Sequence, residues 1–294
     1  MSILFKKWGY FPIDASGPNG RLSYALKECL KGYDRILAYS EWSEKIILNS
    51  LGISASEDRD LQNLPHGIDS NVFYPRGRKW RQNFGQLSVR RPVTIADKEL
   101  LVGIVATNQP RKDYGLAMQV CSQLAKRHRL RLWIHTDSLD RHWSLPYLLT
   151  DYDMNNAEHI VSTSIIDNDT LAKLYSACDV TLGIGNAEGF GYPIFESLAC
   201  GTPCIHGNYG GAPEHMPKEL LVEPAGARHE CVFNCVRQVY DASKWVERVE
   251  FAIKHEYGFP EHLAWKNLWS RWEKWFRKGI EASFEIEKRE VANA

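Results

Sequence analysis

Short apolar runs alternate with amphipathic stretches along most of the chain. The run at 100–106 is rich in aliphatic side chains and is bounded by polar residues, which is typical of a buried strand. The amphipathic stretches have capping residues at their ends: Ser40 or Ser43 can begin a helix that continues through Leu51 and ends at Gly52. Strands that alternate with helices predict βαβ units and doubly wound parallel sheets, so the predicted fold class is α/β.

The predicted elements form two groups separated by a polar stretch. Residues 76–98 contain Arg, Gly and Pro without sustained periodicity, so we interpret them as a loop or linker. The chain is long enough for two hydrophobic cores. Predicted strands cover residues 8–14, 34–40, 100–106, 130–136, 159–164, 179–185, 203–207 and 220–223, and predicted helices cover residues 22–30, 40–51, 114–127, 142–150, 168–178 and 193–199.

The last part of the chain, residues 245–283, has a helical pattern that is rich in aromatic side chains. Mixed with Lys and Arg, such a face suits either an interfacial membrane helix or packing against the protein itself. Both interpretations stay open at this point. The aromatic and aliphatic residues predicted to share one helix face are Trp265, Leu268, Trp269, Trp272, Phe276 and Ile280.

The most informative stretch follows the predicted strand at 179–185. Gly189 and Gly191 flank Phe190, and a helix is predicted from Pro193, with proline near its first turn. A strand, a glycine-rich turn and a helix N-terminus together make an anion site, because several backbone N–H groups there lack intrahelical partners.

Two carboxylates flank this anion site. Glu188 lies on the turn and Glu196 about one helical turn inside the helix. A carboxylate aimed at a phosphate would repel it, whereas one placed to either side can accept hydrogen bonds from sugar hydroxyls. The pattern therefore suits a sugar–diphosphate–nucleoside; the alternative is a strand-to-helix turn with two incidental glutamates.

Residues 188–203, Glu-Gly-Phe-Gly-Tyr-Pro-Ile-Phe-Glu-Ser-Leu-Ala-Cys-Gly-Thr-Pro, resemble the Glu-x7-Glu signature of the retaining GT-B glycosyltransferases of group 1 (family four). Segments near 10–14, 33–42 and 65–69 are similar to the last third of that family's N-terminal domain and its interdomain link. The resemblance implies a GT-B-like fold with two Rossmann-like sheets. It also implies transfer of a hexose from a nucleotide diphosphate sugar to an acceptor hydroxyl, with retention of configuration.

The resemblance also implies a domain division. Residues 1–75 would be a partial, acceptor-side Rossmann-like domain, and residues 99–255 the nucleotide-sugar-binding domain after the 76–98 linker. Residues 256–294 would form a helix that crosses back to the first domain, with a tail. We expect the first domain to be N-terminally truncated, so that part of the acceptor site is absent or supplied in trans. A non-catalytic or inactive nucleotide-sugar-binding module is therefore the alternative function.

A second half of the phosphate site is predicted after the strand at 100–106. Asn108, Arg111 and Lys112 follow it, and the carboxyl ends of parallel strands share one edge of the sheet. The two cations can therefore stabilise the charge on a departing nucleoside diphosphate, as the family's Arg/Lys contacts do. The alternative is a pair of solvated loop charges.

The residue roles follow from these two halves and the resemblance. Glu188 is predicted to hold the sugar and Glu196 the ribose, while Arg111 and Lys112 join the 189–191 amides on the diphosphate. Further predicted donor-site residues are Asn108, Phe190, Tyr192, Gly210 and Gly211, with Glu214 on the same loop. Asp14, Ser40 and Trp42 are candidates for contact with the acceptor, and His66 and Asp69 are interpreted as structural.

Composition and net charge limit the classes of partner and the compartment that we expect. The 294-residue chain has no net formal charge, which argues against nucleic acid as a main partner. No apolar run reaches membrane-spanning length, and seven scattered cysteines favour a reducing compartment, so we expect a cytoplasmic protein. Zinc binding by the Cys200/Cys204 or Cys231/Cys235 pairs is disfavoured, because these residues suit core positions better. We expect no metal and no cofactor, a nucleotide-sugar donor, a glycan, lipid or protein acceptor, and peripheral membrane contact as a secondary option.

Two other enzyme classes fit the sequence less well. Gly183, Gly185 and Gly189 nearly form a Gly-x-Gly-x-x-Gly dinucleotide fingerprint, but the third glycine comes one position late. A metal-dependent GT-A transferase would need an Asp-x-Asp motif at a strand end. Three such pairs exist, and none clearly ends an apolar strand: Asp58/Asp60, Asp151/Asp153 and Asp167/Asp169.

Overall fold

The computed structural model describes residues 6–54, 61–154, 158–186, 188–231 and 233–292. Its larger sheet has six parallel strands in the order β6-β5-β4-β7-β8-β9. This order is that of a doubly wound sheet, so the predicted α/β fold class is confirmed. The strands are β4 (Leu100–Val105), β5 (Leu130–His135), β6 (Glu158–Ser162), β7 (Val180–Gly183), β8 (Cys204–Gly207) and β9 (Leu221–Val222).

Helices cover the faces of this sheet. Their apolar sides and the strands share one buried core, in which Val102, Leu132 and Ile205 are fully inaccessible. Strands that are buried on both faces need continuous apolar sequence, which explains the run at 100–106. The helices of this part are α3 (Phe84–Val89), α4 (Tyr114–Ala125), α5 (Leu145–Asp151), α6 (Asn168–Ala177), α7 (Tyr192–Ala199) and α8 (Ala242–Ala252).

A smaller parallel sheet lies in the N-terminal part. It contains β1 (Trp8–Phe11), β2 (Arg35–Ala38) and β3 (Gln62–Asn63), with β2 in the centre. Helices α1 (Tyr24–Lys31) and α2 (Glu41–Leu51) pack beside it.

The predicted ends of α2 are confirmed. Ser40 is its N-cap, and its hydroxyl accepts a hydrogen bond from the N–H of Ser43 (3.0 Å). Gly52 ends the helix in the left-handed region at φ 73°, a conformation that costs a residue without Cβ very little.

The last helix, α9 (Trp265–Ala292), returns to the smaller sheet, as predicted. Trp275 is 4% exposed and packs with Leu37 of β2 and with Leu64, the residue that follows β3. The guanidinium of Arg35 lies 4.4 Å from the Trp275 ring and donates to its backbone carbonyl (2.9 Å). The far end of the chain thus completes the core of the N-terminal part.

The predicted apolar face of α9 was partly wrong. The side facing the protein includes Leu268, Trp272 and Trp275, whereas Trp269, Phe276 and Ile280 are exposed (65%, 44% and 48%). The aromatic band is wider than one helix face, so helical spacing alone could not identify the half that is buried.

Three local predictions differ from the structure. The stretch 76–98, predicted as a loop, contains a 3₁₀ helix (Arg78–Asn83) and α3, because Phe84 inserts beside Trp133. The helical pattern at 245–283 is broken between α8 and α9. An antiparallel hairpin of β10 (Gly226–Glu230) and β11 (Cys235–Val239) was not predicted.

Replacing Trp275 by alanine should lower the free energy of unfolding by about 3–5 kcal/mol, because it removes a fully packed ring beneath the smaller sheet. Trp269→Ala, on the exposed side of the same helix, is the matched control and should change it by no more than about 0.5 kcal/mol. Urea unfolding followed by circular dichroism measures both. Equal losses in the two variants would contradict the placement of α9.

Candidate functional site

The strand order of the larger sheet places one crevice at its centre. Strands β4 and β7 are neighbours, and the chain leaves them toward opposite halves of the sheet. In doubly wound sheets, ligands bind at this point, outside the carboxyl ends of the strands. The loop after β4 carries Arg111 and Lys112, and the loop after β7 carries Glu188. Both halves of the predicted site therefore lie in this crevice.

The two loops are joined by backbone hydrogen bonds as well as by side-chain contacts. The N–H of Asn186 donates to the carbonyl of Arg111 (2.9 Å), and the N–H of Asp113 donates to that of Ile184 (2.8 Å). Lys112 also forms an isolated bridge with Gly185. The positions of residues 111–113 and 184–186 relative to each other are thus fixed by main-chain geometry.

Glu188 is the shared partner of the two cations. Its Oε1 atom lies 2.8 Å from Nη1 of Arg111 and is also in contact with Nζ of Lys112. Lys112 and Glu188 are almost inaccessible, with 8% and 5% of their surfaces exposed. Burial and the neighbouring Arg111 guanidinium lower the pKa of Lys112 to about 7, and the Asp14 carboxylate opposes that shift.

Asp14 joins the N-terminal part to this ion-pair group. Its carboxylate lies 3.3 Å from Arg111 and accepts hydrogen bonds from the N–H of Gly189 and the hydroxyl of Tyr39, both at 3.0 Å. Gly189 was predicted to offer its N–H to a phosphate, and here that N–H donates to an anionic oxygen. Sequence reasoning placed Asp14 near the cleft but missed this contact, because the pairing spans 175 residues.

Glu196 lies on α7, on the other side of the glycine-rich turn. One of its carboxylate oxygens accepts a hydrogen bond from the hydroxyl of Tyr175 (3.1 Å). Burial raises the pKa of Glu196 to about 7, and the Tyr175 hydroxyl opposes the shift. The second oxygen remains a candidate acceptor for a ligand hydroxyl.

Gly210 and Gly211 lie against the Glu188–Gly189 backbone. The N–H of Gly211 donates to the Glu188 carbonyl (2.8 Å), and Gly210 has φ 107°. A Cβ on Gly211 would overlap the Gly189 carbonyl and the Ser40 hydroxyl. The two glycines therefore let the loop after β8 support the signature turn, a role that explains them without direct ligand contact.

The aromatic residues of the turn pack around His66. The rings of Phe190 and Tyr192 lie 5.2 and 4.9 Å from the His66 ring, and Tyr39 stacks on it at 5.4 Å. Phe190 is buried, while Tyr192 is 41% exposed. Burial lowers the pKa of His66 to about 4, so the ring is neutral at physiological pH. His66 joins the two parts of the chain, in keeping with its structural interpretation.

Asn108 is not brought to a ligand-facing position. It is fully buried, and its side-chain amide donates to the carbonyls of Ser138 (3.1 Å) and Trp143 (2.7 Å). Its carbonyl oxygen accepts from the N–H of Trp143 (2.9 Å). These contacts use the side chain to hold the loop after β5, and the predicted contact of Asn108 with the donor stays a prediction.

Glu214 also has a different role from the predicted sugar or phosphate contact. Its carboxylate accepts hydrogen bonds from the N–H groups of Glu41 (2.9 Å) and Trp42 (2.6 Å). These belong to the first turn of α2, where unpaired N–H groups attract an anion. Glu214 thus fastens the N-terminal part to the loop after β8.

Two of the three Asp-x-Asp pairs lie within the described residues. Asp151 is the last residue of α5, and Asp153 follows in the left-handed region at φ 52°. Asp167 is the N-cap of α6, and Asp169 is ion-paired with Arg76 at 2.6 Å. Asp58 and Asp60 lie outside the described residues.

Comparison with known proteins relates the crevice to one family. Residues 86–223 match the family model for glycosyl transferases group 1. The predicted resemblance to the group 1 glycosyltransferases is confirmed over these residues, which include all six strands of the larger sheet. The matched stretch begins inside α3 and ends after β9, so it contains both loops of the crevice.

A relative from Mycolicibacterium smegmatis is described as a GDP-mannose-dependent alpha-(1-6)-phosphatidylinositol monomannoside mannosyltransferase. It is 28% identical over 204 residues, which are 65% of this chain and 48% of that protein. The chain spans about half the length of the curated relatives it matches.

Solved structures confirm the GT-B-like fold. Anabaena HepE in complex with UDP and glucose aligns with 76% of this chain and 54% of its own, at a TM-score of 0.56 and 17% identity. A glycosyltransferase from Rickettsia africae aligns with 84% of this chain and 60% of its own, at a TM-score of 0.60 and 16% identity.

Among the residues that the structure describes, no helix combines the length and the apolar character needed to cross a lipid bilayer.

Gly211→Ala should push the loop after β8 away from the 189–191 turn, because the added methyl group has no space beside the Gly189 carbonyl. We expect a loss of about 1–3 kcal/mol in the free energy of unfolding, measured by urea denaturation. Gly226→Ala is the control, since a Cβ at Gly226 meets open space. A Gly211→Ala variant as stable as this control would show that the close approach is not required.

Proposed function

We propose that this chain takes part in transferring a hexose from a nucleotide diphosphate sugar to an acceptor hydroxyl, with retention of configuration. The observation that carries the proposal is the convergence of Arg111, Lys112, Glu188 and the Gly189 amide in one crevice at the switch point. The mannosyltransferase relative is named for a GDP-mannose donor, and HepE was solved with UDP and glucose. Both names favour a nucleotide sugar as the donor.

In this proposal the Arg111 guanidinium and the backbone amides of the 189–191 turn bind the diphosphate. Arg111 keeps 21% of its side chain exposed, so a ligand in the crevice can reach it. Charge-assisted hydrogen bonds from its guanidinium and from the amides of the 189–191 turn would stabilise the charge on the leaving nucleoside diphosphate. These groups supply the positive charge at the leaving group, so the proposed reaction uses no metal ion and no cofactor.

The two glutamates recognise hydroxyl groups. Glu196 has an oxygen beyond its Tyr175 contact and lies on α7, and we assign it to the ribose. Glu188 is assigned to the sugar. The Glu188 carboxylate balances the two cations, so donor binding must rearrange this ion-pair group and also compete with the Asp14 carboxylate. The acceptor is a glycan, lipid or protein hydroxyl, and the scattered cysteines favour a cytoplasmic setting.

The test is donor binding. A thermal-shift panel of UDP-, GDP- and ADP-sugars selects the nucleotide, and calorimetry then compares variants. Lys112→Ala and Glu196→Ala should each weaken nucleotide binding by about tenfold or more, since each loses a group assigned to a hydrogen bond with the nucleotide. Lys98→Ala is the matched control, because Lys98 is exposed just before β4, at the opposite edge of the same sheet.

Unchanged nucleotide affinity in both variants would overturn the assignment of the site. Sugar transfer to an added acceptor, or hydrolysis of the donor, distinguishes an enzyme from a binding module. Tight nucleotide binding with neither reaction would favour the non-catalytic alternative.

A further inference from the structure

A cavity of about 810 Å³ opens beside Arg111, between the N-terminal part and the larger domain. Its walls come from residues 12–26, from the 109–111 loop, from residues 141–142, and from the β10–β11 hairpin at 233–237. This volume is that of a site for a small organic molecule. The signature residues Glu188 and Glu196 are not among its described lining residues, so the cavity extends away from the proposed donor site.

Arg237 is the unusual member of the wall. It is 3% exposed, and its Nη2 atom lies 3.2 Å from the Glu230 carboxylate. Its Nε and Nη1 atoms are buried, and they have no hydrogen-bond partner among the described residues. A buried guanidinium with unused donors is costly unless a ligand or another polar group accepts from them.

The charges around the cavity favour an anion. Four arginines line it, Arg21, Arg111, Arg141 and Arg237, and Asp14 supplies the single carboxylate among the described lining residues. That carboxylate is already engaged by Arg111 and by the Gly189 amide. Guanidinium groups bind carboxylates and phosphates through paired hydrogen bonds.

The rest of the wall is largely apolar. Ile13 and Leu22 lie on one side of the cavity and Pro110 on another. The exposed side chains of Leu26 and Phe233 lie at the rim of the cavity. A fully hydrated inorganic ion would leave these surfaces unused. The lining therefore suits a molecule that joins an acidic group to an apolar body.

We propose that this cavity binds an organic anion, a phosphate monoester or a carboxylate on an apolar body, through Arg237, and that this anion belongs to the sugar acceptor. The second half of the inference rests on the proposed transferase function. The anionic group lies at Arg237, whose side chain shifts to bring its buried Nε and Nη1 donors to the cavity, and the remainder extends toward Arg111 and the donor crevice. Acceptors without an acidic group are then disfavoured, because they leave the Arg237 donors unpaired.

Binding of three probes tests the inference: phenyl phosphate, benzoate and benzyl alcohol, titrated by calorimetry into the full chain. At least one of the two anions should bind at least about tenfold more tightly than the uncharged alcohol. Arg237→Gln should abolish that difference, because it removes the charge and the paired donors. Comparing the two anions identifies the acidic group. Two anions that bind no better than benzyl alcohol would overturn the inference.

Two further variants keep the test decisive. Arg228→Gln is the matched control, since Arg228 is exposed on the facing strand and outside the cavity lining, and it should bind the anions as the unaltered protein does. If Arg237→Gln does not fold, Arg141→Gln serves instead, because Arg141 is 58% exposed in its side chain; it should weaken the anion severalfold. Anion affinity that is unchanged in the folded cavity variant would overturn the inference.

A competition experiment separates this inference from the proposed function. The anions should still bind when the protein is saturated with UDP or GDP. Complete displacement by either nucleotide would place the probe in the donor crevice and contradict a separate site. Failure of both nucleotides to bind would count against the donor site. The anion titration would still show whether the cavity binds an organic anion.

Discussion

The buried contact of Glu188 with Lys112 and Arg111 is the constraint on which the site depends. A lysine that is 8% exposed cannot carry its charge there without a nearby anion, and Glu188 provides it. The contact between Lys112 and Glu188 also holds the loop after β4 against the loop after β7. These loops meet at the point where the strand order of the sheet reverses. Positive charge is thus concentrated where a doubly wound sheet binds its ligands.

The same crevice holds the N-terminal part against the larger domain. Asp14 reaches Arg111 and Gly189, while Glu214 caps α2 from the other side. Both links are made by carboxylates that accept from cations or unpaired N–H groups, so they are polar and can be exchanged for a ligand. The apolar contact is made elsewhere, by Trp275 beneath the smaller sheet. A donor that displaces Asp14 would therefore alter the interdomain contact without opening the core.

Sequence patterns predicted the parts of the structure whose physics is local. The β4 and β7 strands, the caps at Ser40 and Gly52, and the crevice that brings Arg111 near Glu188 all follow from periodicity, capping chemistry and parallel-sheet geometry. The resemblance to the group 1 glycosyltransferases and the GT-B-like fold are confirmed. The residue roles, the domain boundaries and the expected absence of a metal stay predictions.

Contacts between distant segments could not be predicted in the same way. Asp14 contacts groups that are 97 and 175 residues away in the sequence. The Asn108 side chain donates a hydrogen bond to a loop 30 residues later, and Glu214 accepts hydrogen bonds from the first turn of a helix 172 residues earlier. In each case the side chain suited a ligand by type, and only its packed partners reveal another role. The exposed half of α9 was missed for a related reason, since an aromatic band wider than one face does not specify which face is buried.

The most direct measurement of the central claim is a crystal structure of the chain with UDP or GDP bound. We expect diphosphate oxygens within about 2.7–3.2 Å of the Arg111 or Lys112 side chain and of an amide in the 189–191 turn, with the ribose at Glu196. A diphosphate bound at the amino-terminal edge of the larger sheet, or away from both loops, would contradict the account.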